Sequence, residues 1–286
     1  MNQQQSVVSC IPNSSRMSKA KRVLEEAREI QNPELDLSDK GISTFEEMPG
    51  ILNMLNITRL TLSHNKIKAI PPGLANLTNL EILNLANNHL EELPLSLSSM
   101  PKLRILNLSI NKLYSLPRGF GAFPVLEVLD LTYNNLSEKT LPGNFFMIET
   151  LRALYLGDND FTELSSDIKN LKNLQILVLR ENDLISLPKE IGELIRLREL
   201  HLQGNRLTIL PPEISNLDMT SNKSCFKFEG NVWVTPIADQ LKLGVNHLMD
   251  YLKSETYRIM YNRYTSERHE IPPPCIDKEK KVSRVH

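Results

Sequence analysis

Histidines, cysteines and glycine-rich motifs are the features of this sequence whose chemistry could support catalysis or metal binding. The six histidines are scattered, and none has the H-x-x-x-H spacing or the neighbouring cysteines that hold zinc. Gly119-Phe120-Gly121 lacks the third glycine of a dinucleotide-binding loop. Neither a G-x-x-x-x-G-K phosphate loop nor a G-x-S-x-G nucleophile motif is present. We therefore predict no catalytic residue, no bound cofactor and no metal site, and we expect the chain not to be an enzyme.

Polar and aromatic side chains that stand beside paired leucines suggest protein binding instead. A residue between two buried leucines of a strand points away from the core. Tyrosine and arginine are enriched at interface hot spots, and carboxylates on an open sheet lack the pocket that would tune them for catalysis. An ordinary solvated sheet face is the alternative. The predicted partner-binding residues are Asp130, Thr132, Tyr133, Tyr155, Asp158, Arg180, Glu181, His201 and Gln203.

The leucines around these side chains follow the pattern L-x-x-L-x-L-x-x-N-x-L, which is typical of leucine-rich repeats. The pattern occurs seven times in steps of 23 residues, except for one step of 25 between Asn134 and Asn159. Weaker turns begin at Leu35 and Phe226. The prediction is an α/β leucine-rich repeat solenoid of about nine turns over residues 34–234, a curved horseshoe with a parallel concave sheet. Its ladder asparagines, such as Asn111, should be buried and bonded to backbone.

The longer step coincides with an insertion after Asn134. The segment 137–140 delays the next Leu-Pro pair by two residues. We expect these residues to loop out on the convex or side surface, because the strand register resumes at Leu151. A tolerated insertion and a contact point for a partner both remain open.

The array is preceded by a polar leader and one amphipathic helix. Residues 1–16 are rich in Gln, Ser and Asn, and we interpret them as disordered. Residues 17–33 are predicted to form a helix that caps the first turn, because a solenoid must cover its open ends. A partner-binding helix is the alternative. Its apolar face consists of Val23, Leu24, Ala27 and Ile30.

After the array, residues 235–264 are predicted to form one C-terminal capping helix. Thr235 is its predicted N-cap residue, with Pro236 in the first turn. Its aromatic second half, with Tyr257, Tyr261 and Tyr264, is expected to overhang the array and to be free to meet a partner. Residues 265–286 are interpreted as a disordered basic tail, for which weak attraction to anionic lipid is an alternative to simple solvation.

Composition limits the classes of partner and the compartment. The formal net charge is -1, from 33 basic and 34 acidic residues, which gives no basic field for nucleic acid. No apolar run is long enough for stable membrane insertion, and the first twenty residues lack an apolar signal core. The three cysteines are scattered, unlike the paired cysteines of extracellular repeat caps. We expect a cytoplasmic protein that is monomeric apart from its partner.

Several runs of sequence closely resemble the Ras suppressor protein family of intracellular leucine-rich repeat adaptors. The resemblance covers roughly residues 17–264 and includes the two-residue insertion, whereas 1–16 and 265–286 depart from it. The runs that carry it are 117–121, 126–137, 141–146, 184–194, 233–240 and 254–257.

That resemblance implies an adaptor enriched at integrin-based cell-matrix adhesions. The family binds the last LIM domain of the adaptor PINCH, within the complex of PINCH, integrin-linked kinase and parvin. It also modulates Ras and stress-kinase signalling. On this basis we expect a LIM domain to dock across turns five to eight of the concave face. Direct regulation of a Ras-type GTPase or a phosphatase is the alternative, and a structural scaffold without a defined partner is a third interpretation.

Overall fold

The chain stacks its turns along a single parallel sheet. The computed structural model describes residues 18–267 and 269–273. Nine strands of three residues each pair in chain order, which confirms the predicted leucine-rich repeat solenoid. The strands are β1 (Glu34–Asp36), β2 (Arg59–Thr61), β3 (Ile82–Asn84), β4 (Ile105–Asn107), β5 (Val128–Asp130), β6 (Ala153–Tyr155), β7 (Ile176–Val178), β8 (Glu199–His201) and β9 (Cys225–Lys227).

The core is a continuous stack of the central strand residues. Leu83 pairs in register with Leu106, and Leu106 with Leu129, and all three side chains are fully buried. The last strand places Phe226 at this position. One turn alone could not bury its leucines, so neighbouring turns must share their apolar surfaces.

The ladder asparagines close each turn at the end of its strand. Asn111 is 8% exposed, and its Oδ1 accepts a hydrogen bond from the Leu90 amide at 3.0 Å. Its Nδ2 donates to the carbonyl oxygens of Leu85, Leu108 and Ser109 at 3.0, 3.0 and 3.2 Å. The predicted burial and backbone bonding of this asparagine are thereby confirmed.

Short 3₁₀ segments form the convex side. Pro71, Pro94, Pro188 and Pro211 each precede one of these segments, because proline cannot donate to a sheet and favours the first turn of a helix. The segments are Phe45–Glu47, Ile51–Asn53, Pro72–Asn76, Leu95–Ser99, Phe120–Ala122, Glu138–Thr140, Phe145–Met147, Ser166–Asn170, Lys189–Glu193 and Pro212–Asn216.

The insertion is part of the packing. Residues Glu138–Thr140 form a 3₁₀ turn, and the Glu138 carboxylate accepts hydrogen bonds from the amide and hydroxyl of Thr162 in the next turn, both at 3.1 Å. Asp130 nevertheless remains in register with Tyr155. The extra residues therefore leave the sheet undisturbed and bind the neighbouring turn through a side chain.

The amino-terminal cap is the helix α1 (Lys19–Glu29). Ser18 is its N-cap residue, and its hydroxyl accepts a hydrogen bond from the Lys21 amide. The helix buries Ala20, Leu24 and Ala27 against the first turn. The predicted apolar face is wrong at Ile30, which is 73% exposed, because the helix ends before this residue.

Three helices replace the predicted single helix at the carboxyl-terminal end: α2 (Thr235–Leu243), α3 (Val245–Lys253) and α4 (Glu255–Ser266). Gly244 separates α2 from α3. Its φ of 117° is a conformation that favours glycine. Ser254 caps α4, accepting a hydrogen bond from the Tyr257 amide. The predicted N-cap residue, Thr235, is wrong: it is the first residue of α2, and Val234 is the N-cap residue, without a side-chain cap hydrogen bond.

The aromatic residues of α4 do not overhang freely. Tyr257 is fully buried, and its hydroxyl both donates to the Leu210 carbonyl and accepts from the Leu210 amide. Burial raises the pKa of this hydroxyl. The ring of Tyr264 stacks on His269 with centroids 3.7 Å apart. Arg206 donates hydrogen bonds to the Pro272 carbonyl, so the chain after α4 returns to the array.

Two predicted segments fall largely beyond what the structure describes. The predicted leader, 1–16, and most of the predicted basic tail, 265–286, lie outside the described residues. Within the described residues, no helix combines the length and apolar character required to cross a membrane.

Candidate partner-binding face

The register of the sheet brings three of the predicted site residues into one row. Asp130 pairs with Tyr155, Tyr155 with Val178, and Val178 with His201. Because neighbouring strands lie about 4.8 Å apart, the row spans roughly 14 Å from Asp130 to His201. Val178 is 5% exposed and fills the space between the two ring side chains. We call the nine predicted site residues the polar half of the concave face.

An ion pair orders the middle of the polar half. Arg180 Nη2 lies 3.0 Å from Asp158 Oδ2, and the Asp158 side chain is only 15% exposed. Arg180 crosses Gly157 on the preceding turn, where an added Cβ would approach its Cγ to 3.0 Å. The glycine therefore gives the arginine room to lie along the sheet, and the carboxylate holds it there.

Three site residues adopt left-handed backbone just before the ladder asparagines. The φ angles are 63° at Tyr133, 53° at Asp158 and 51° at Glu181, whereas Gly204 occupies the same position in the next turn. The bend of every turn requires this conformation, which costs a non-glycine residue roughly 1 kcal/mol or more. These positions thus carry large side chains on the rim of the sheet despite a backbone that favours glycine.

Two polar atoms at the end of the row are buried without hydrogen bonds. His201 Nε2 and Gln203 Oε1 have no such partner among the described residues. His201 Nε2 lies 3.7 Å from Glu199 Oε2, beyond normal hydrogen-bonding distance. Burial and the charge of Lys227 lower the pKa of His201. An unsatisfied buried polar atom costs about 1–3 kcal/mol, so these two atoms lower the stability of the free protein.

The remaining site residues surround these groups. Thr132 donates its amide to Asp130 Oδ1 at 2.9 Å, which holds this carboxylate against the backbone. Burial, followed by the charges of Glu199 and Asp130, raises the pKa of the Tyr155 hydroxyl. At neutral pH this hydroxyl is therefore a neutral hydrogen-bond donor on the open face. Tyr133 and Gln203 are half-buried.

A second row of outward-facing residues was not among the predicted site residues, which start in each turn at the residue between the paired leucines. The residue two positions earlier in each strand also faces the concave side, as the period of a strand requires. In five consecutive strands it is apolar, and this row is called the apolar stripe: Ile82, Ile105, Val128, Ala153 and Ile176. The alternation of the strands was the signal that could have revealed it.

The polar half has no catalytic arrangement that we recognise, and its residues lie on an open sheet. Within the described part of the chain, no group of three or more His, Cys, Asp or Glu side chains is placed to hold a metal ion. The polar half presents one ordered arginine, two tyrosines, carboxylates and unsatisfied polar atoms on adjacent turns, groups that are suited to recognition of a protein surface.

Comparison with known protein families identifies the repeats. A family model described as a leucine-rich repeat region matches residues 114–222, and another described as leucine rich repeat matches residues 55–113. A solved leucine-rich repeat protein of Leptospira interrogans superimposes with a TM-score of 0.63 and 33% identity. That alignment covers 72% of this chain and 57% of the Leptospira chain.

The leucine-rich repeat ectodomain of a plant receptor kinase from Arabidopsis thaliana, solved in complex with Casparian strip integrity factor 2, matches with a TM-score of 0.55 and 31% identity. It aligns over 70% of this chain and 24% of that protein.

Curated proteins match over a larger part of the chain. Ras suppressor protein 1 of Homo sapiens is 65% identical over 269 residues, which are 94% of this chain and 97% of the human protein. Ras suppressor protein 1 of Mus musculus is 61% identical with the same coverage.

Proposed function

The chain belongs to the Ras suppressor protein 1 family, and we propose that it is a non-enzymatic adaptor whose polar half binds the C-terminal LIM domain of PINCH. Its leucine-rich repeats belong to a class that serves as protein-interaction scaffolds. The proposed setting is the complex of PINCH, integrin-linked kinase and parvin at cell-matrix adhesions in the cytoplasm. Through that complex the protein would modulate Ras and stress-kinase signalling.

The observation that carries this proposal is the composition of three adjacent turns. Tyr155, the Asp158–Arg180 ion pair and His201 lie on strands or turns that follow one another in the sheet. Aromatic and arginine side chains supply most hot spots in protein interfaces, especially when their surroundings hold them in place. The ion pair does this for Arg180, and burial does it for Tyr155.

The buried polar atoms add a second argument for a protein partner. His201 Nε2 and Gln203 Oε1 lie at the end of the row that contains Tyr155. Their missing hydrogen bonds destabilise the free protein, and a docked domain would supply them once these two side chains turn outward to meet it. Specificity would follow, since a partner without matching groups would leave these atoms buried and unsatisfied.

A binding measurement with two competing partner classes tests the proposal. The full chain is titrated with the C-terminal LIM domain of PINCH and, separately, with a nucleotide-loaded Ras-type GTPase. We expect saturable binding of the LIM domain. Tyr155→Ala and Arg180→Ala should each weaken it by about 2 kcal/mol, roughly a 30-fold change in Kd, as hot-spot residues do.

Lys189→Ala on the convex side is the matched control, because Lys189 is exposed on the opposite surface of the solenoid. Each variant must keep the melting temperature of the wild type within a degree or two. Unchanged LIM binding by both concave variants would place the interface elsewhere. Binding of the GTPase without binding of the LIM domain would favour the alternative of direct GTPase regulation.

A further inference from the structure

The apolar stripe lies on the amino-terminal side of the row that contains Tyr155. Its five residues pair directly from strand to strand, so Ile82 faces Ile105 and Val128 faces Ala153. All are half-buried except Ala153, which is 5% exposed. The stripe ends at charged residues in the same register, Arg59 before it and Glu199 after it.

Folding does not demand apolar residues at these positions. The equivalent position holds Glu34 in β1, Arg59 in β2 and Glu199 in β8, and these strands pair in the same way. An apolar row across five consecutive strands therefore exposes apolar surface that the scaffold could have made polar. Contiguous exposed apolar surface rimmed by polar residues is typical of an interaction site.

A row of arginines borders the stripe on the side away from the polar half. Glu127 lies between two of them: Arg104 Nη2 is 2.9 Å and Arg152 Nε is 3.7 Å from its carboxylate. Arg196 Nη1 donates to Asn173 Oδ1 at 2.6 Å, and the structure shows no carboxylate pairing with it among the described residues.

Arg152 and Arg196 line the same groove, which has a volume of about 410 Å³. Its lining combines these two cations with a single carboxylate, which Arg104 already shares. The groove is lined by Val125, Glu127, Thr150, Arg152, Asn173, Gln175 and Arg196. The margin of the stripe at turns five to eight is thus cationic, whereas the other margin carries the carboxylate of Asp130.

The spacing of the stripe matches one kind of partner element. Neighbouring strands lie about 4.8 Å apart, so the stripe presents an apolar side chain at each such step. An α-helix lying across the strands repeats its face every 5.4 Å, a mismatch of about 0.6 Å per turn. Over four helical turns the accumulated mismatch is about 2.4 Å, half of one strand spacing. A long side chain such as leucine can absorb this mismatch.

We propose that the apolar stripe and the arginine-lined groove form a second docking strip, which takes an acidic amphipathic α-helix of a partner protein. The apolar face of that helix lies on Ile105, Val128 and Ile176. Glutamates or aspartates along one flank reach Arg152 and Arg196 in the groove. The opposite margin, with Asp130, disfavours a helix that carries its acids on the wrong flank and so sets its direction.

Fluorescence anisotropy with the full chain tests this strip directly. The probe is a fluorescein-labelled helical peptide of about 18 residues, five turns long, with leucines along one face and glutamates on one flank. We expect saturable binding that weakens as salt is raised. The double variant Arg152→Glu/Arg196→Glu should weaken binding at least tenfold, and Val128→Asn should do the same without adding a charge beside the groove.

The matched control is Lys169→Glu/Lys189→Glu, an equal change of charge on the convex 3₁₀ segments. It should leave peptide affinity unchanged, and a peptide with lysine in place of every glutamate should not bind. Thermal melting confirms that each variant is folded. Failure of the acidic peptide to bind, equal binding of the lysine peptide, or unchanged affinity of the groove variant would each overturn the proposal.

The same variants separate this strip from the LIM-domain site proposed above. Arg152→Glu/Arg196→Glu should retain LIM-domain binding while losing the peptide. Loss of LIM binding in that variant, with no peptide binding by the wild type, would show that the groove belongs to the LIM site and would refute a second strip. Failure of the LIM domain to bind the wild type would refute only the proposed function.

Discussion

Two asparagines of one turn show how differently this molecule constrains its interior and its concave face. Asn111 is 8% exposed and makes four hydrogen bonds to backbone, two of them to the preceding turn. Asn107 lies four residues earlier on the concave face, and its Oδ1 accepts two hydrogen bonds within the described part of the chain, from the amide and the hydroxyl of Ser109. The interior asparagine completes the fold, whereas the concave one leaves its identity open for recognition.

The largest effect is expected where the interior loses its cover. Deleting everything after Val234 removes α2, α3 and α4, whose Ile237, Leu248 and Leu252 are fully buried. The last turns would then expose their core, and we expect aggregation or loss of cooperative unfolding. Size-exclusion chromatography and thermal melting measure this. A soluble truncated protein with the wild-type melting curve would contradict the role of these helices as a cap.

A pair of identical substitutions tests the comparison within one turn. Asn111→Ala should lower the free energy of unfolding by about 1–3 kcal/mol, because buried backbone groups lose their partner. Asn107→Ala should change it by less than about 0.5 kcal/mol, as for most surface substitutions. Urea denaturation of both variants gives the difference. Equal values would mean that the interior and the concave face are not constrained differently.

The buried tyrosine of the cap extends the comparison to a single hydroxyl group. Tyr257→Phe removes the hydrogen bonds to Leu210 and should cost about 1 kcal/mol or slightly more, with the ring packing retained. Tyr264→Phe is the matched control, because it removes the hydroxyl of a half-buried tyrosine on the same helix. Chemical denaturation is the measurement, and equal stabilities would argue against a structural role for the Tyr257 hydroxyl.

The smallest effect concerns His201 on the concave face. Because burial and Lys227 lower its folded-state pKa, the unfolded chain binds the proton more tightly. The stability contributed by neutral His201 is complete above its unfolded pKa of about 6.5 and decreases as the pH falls through that value. His201→Gln should therefore reduce the loss of melting temperature between about pH 7.5 and 5.5. His247→Gln, at an exposed position of α3, is the matched control for the removal of one imidazole.

The difference between interior and surface also explains what sequence could predict. The spacing of leucines and asparagines determines the strands, their register and the ladder, because every residue of the repeat pattern returns to the same buried position in each turn. The break at Gly244 was missed because Leu241, Val245, Leu248 and Leu252 continue a helical period across it. Glycine inside a helix costs only about 1 kcal/mol, so local sequence did not force the break. Packing against the last turn decides it.

The polar half was predictable as a set of outward residues but not as a geometry. Strand alternation places Asp130, Tyr155 and His201 on one face, as the register shows. Nothing in the spacing indicates that Arg180 reaches back over Gly157 to Asp158. Such contacts depend on long side chains crossing between turns, and no repeat rule constrains them. Whether these residues bind a partner remains a prediction for experiment.

The uneven register of the strands has a mechanical consequence. Paired strands are 25, 23, 23, 23, 25, 23, 23 and 26 residues apart along the chain. Because each turn is held mainly by its neighbours, a chain stretched from its ends would release contour length one turn at a time. A 23-residue turn yields up to about 80 Å and a 25-residue turn up to about 87 Å. The insertion at Glu138 would thus appear in a force–extension record as a longer step with shorter ones on both sides, whereas the other longer steps belong to the two ends of the array.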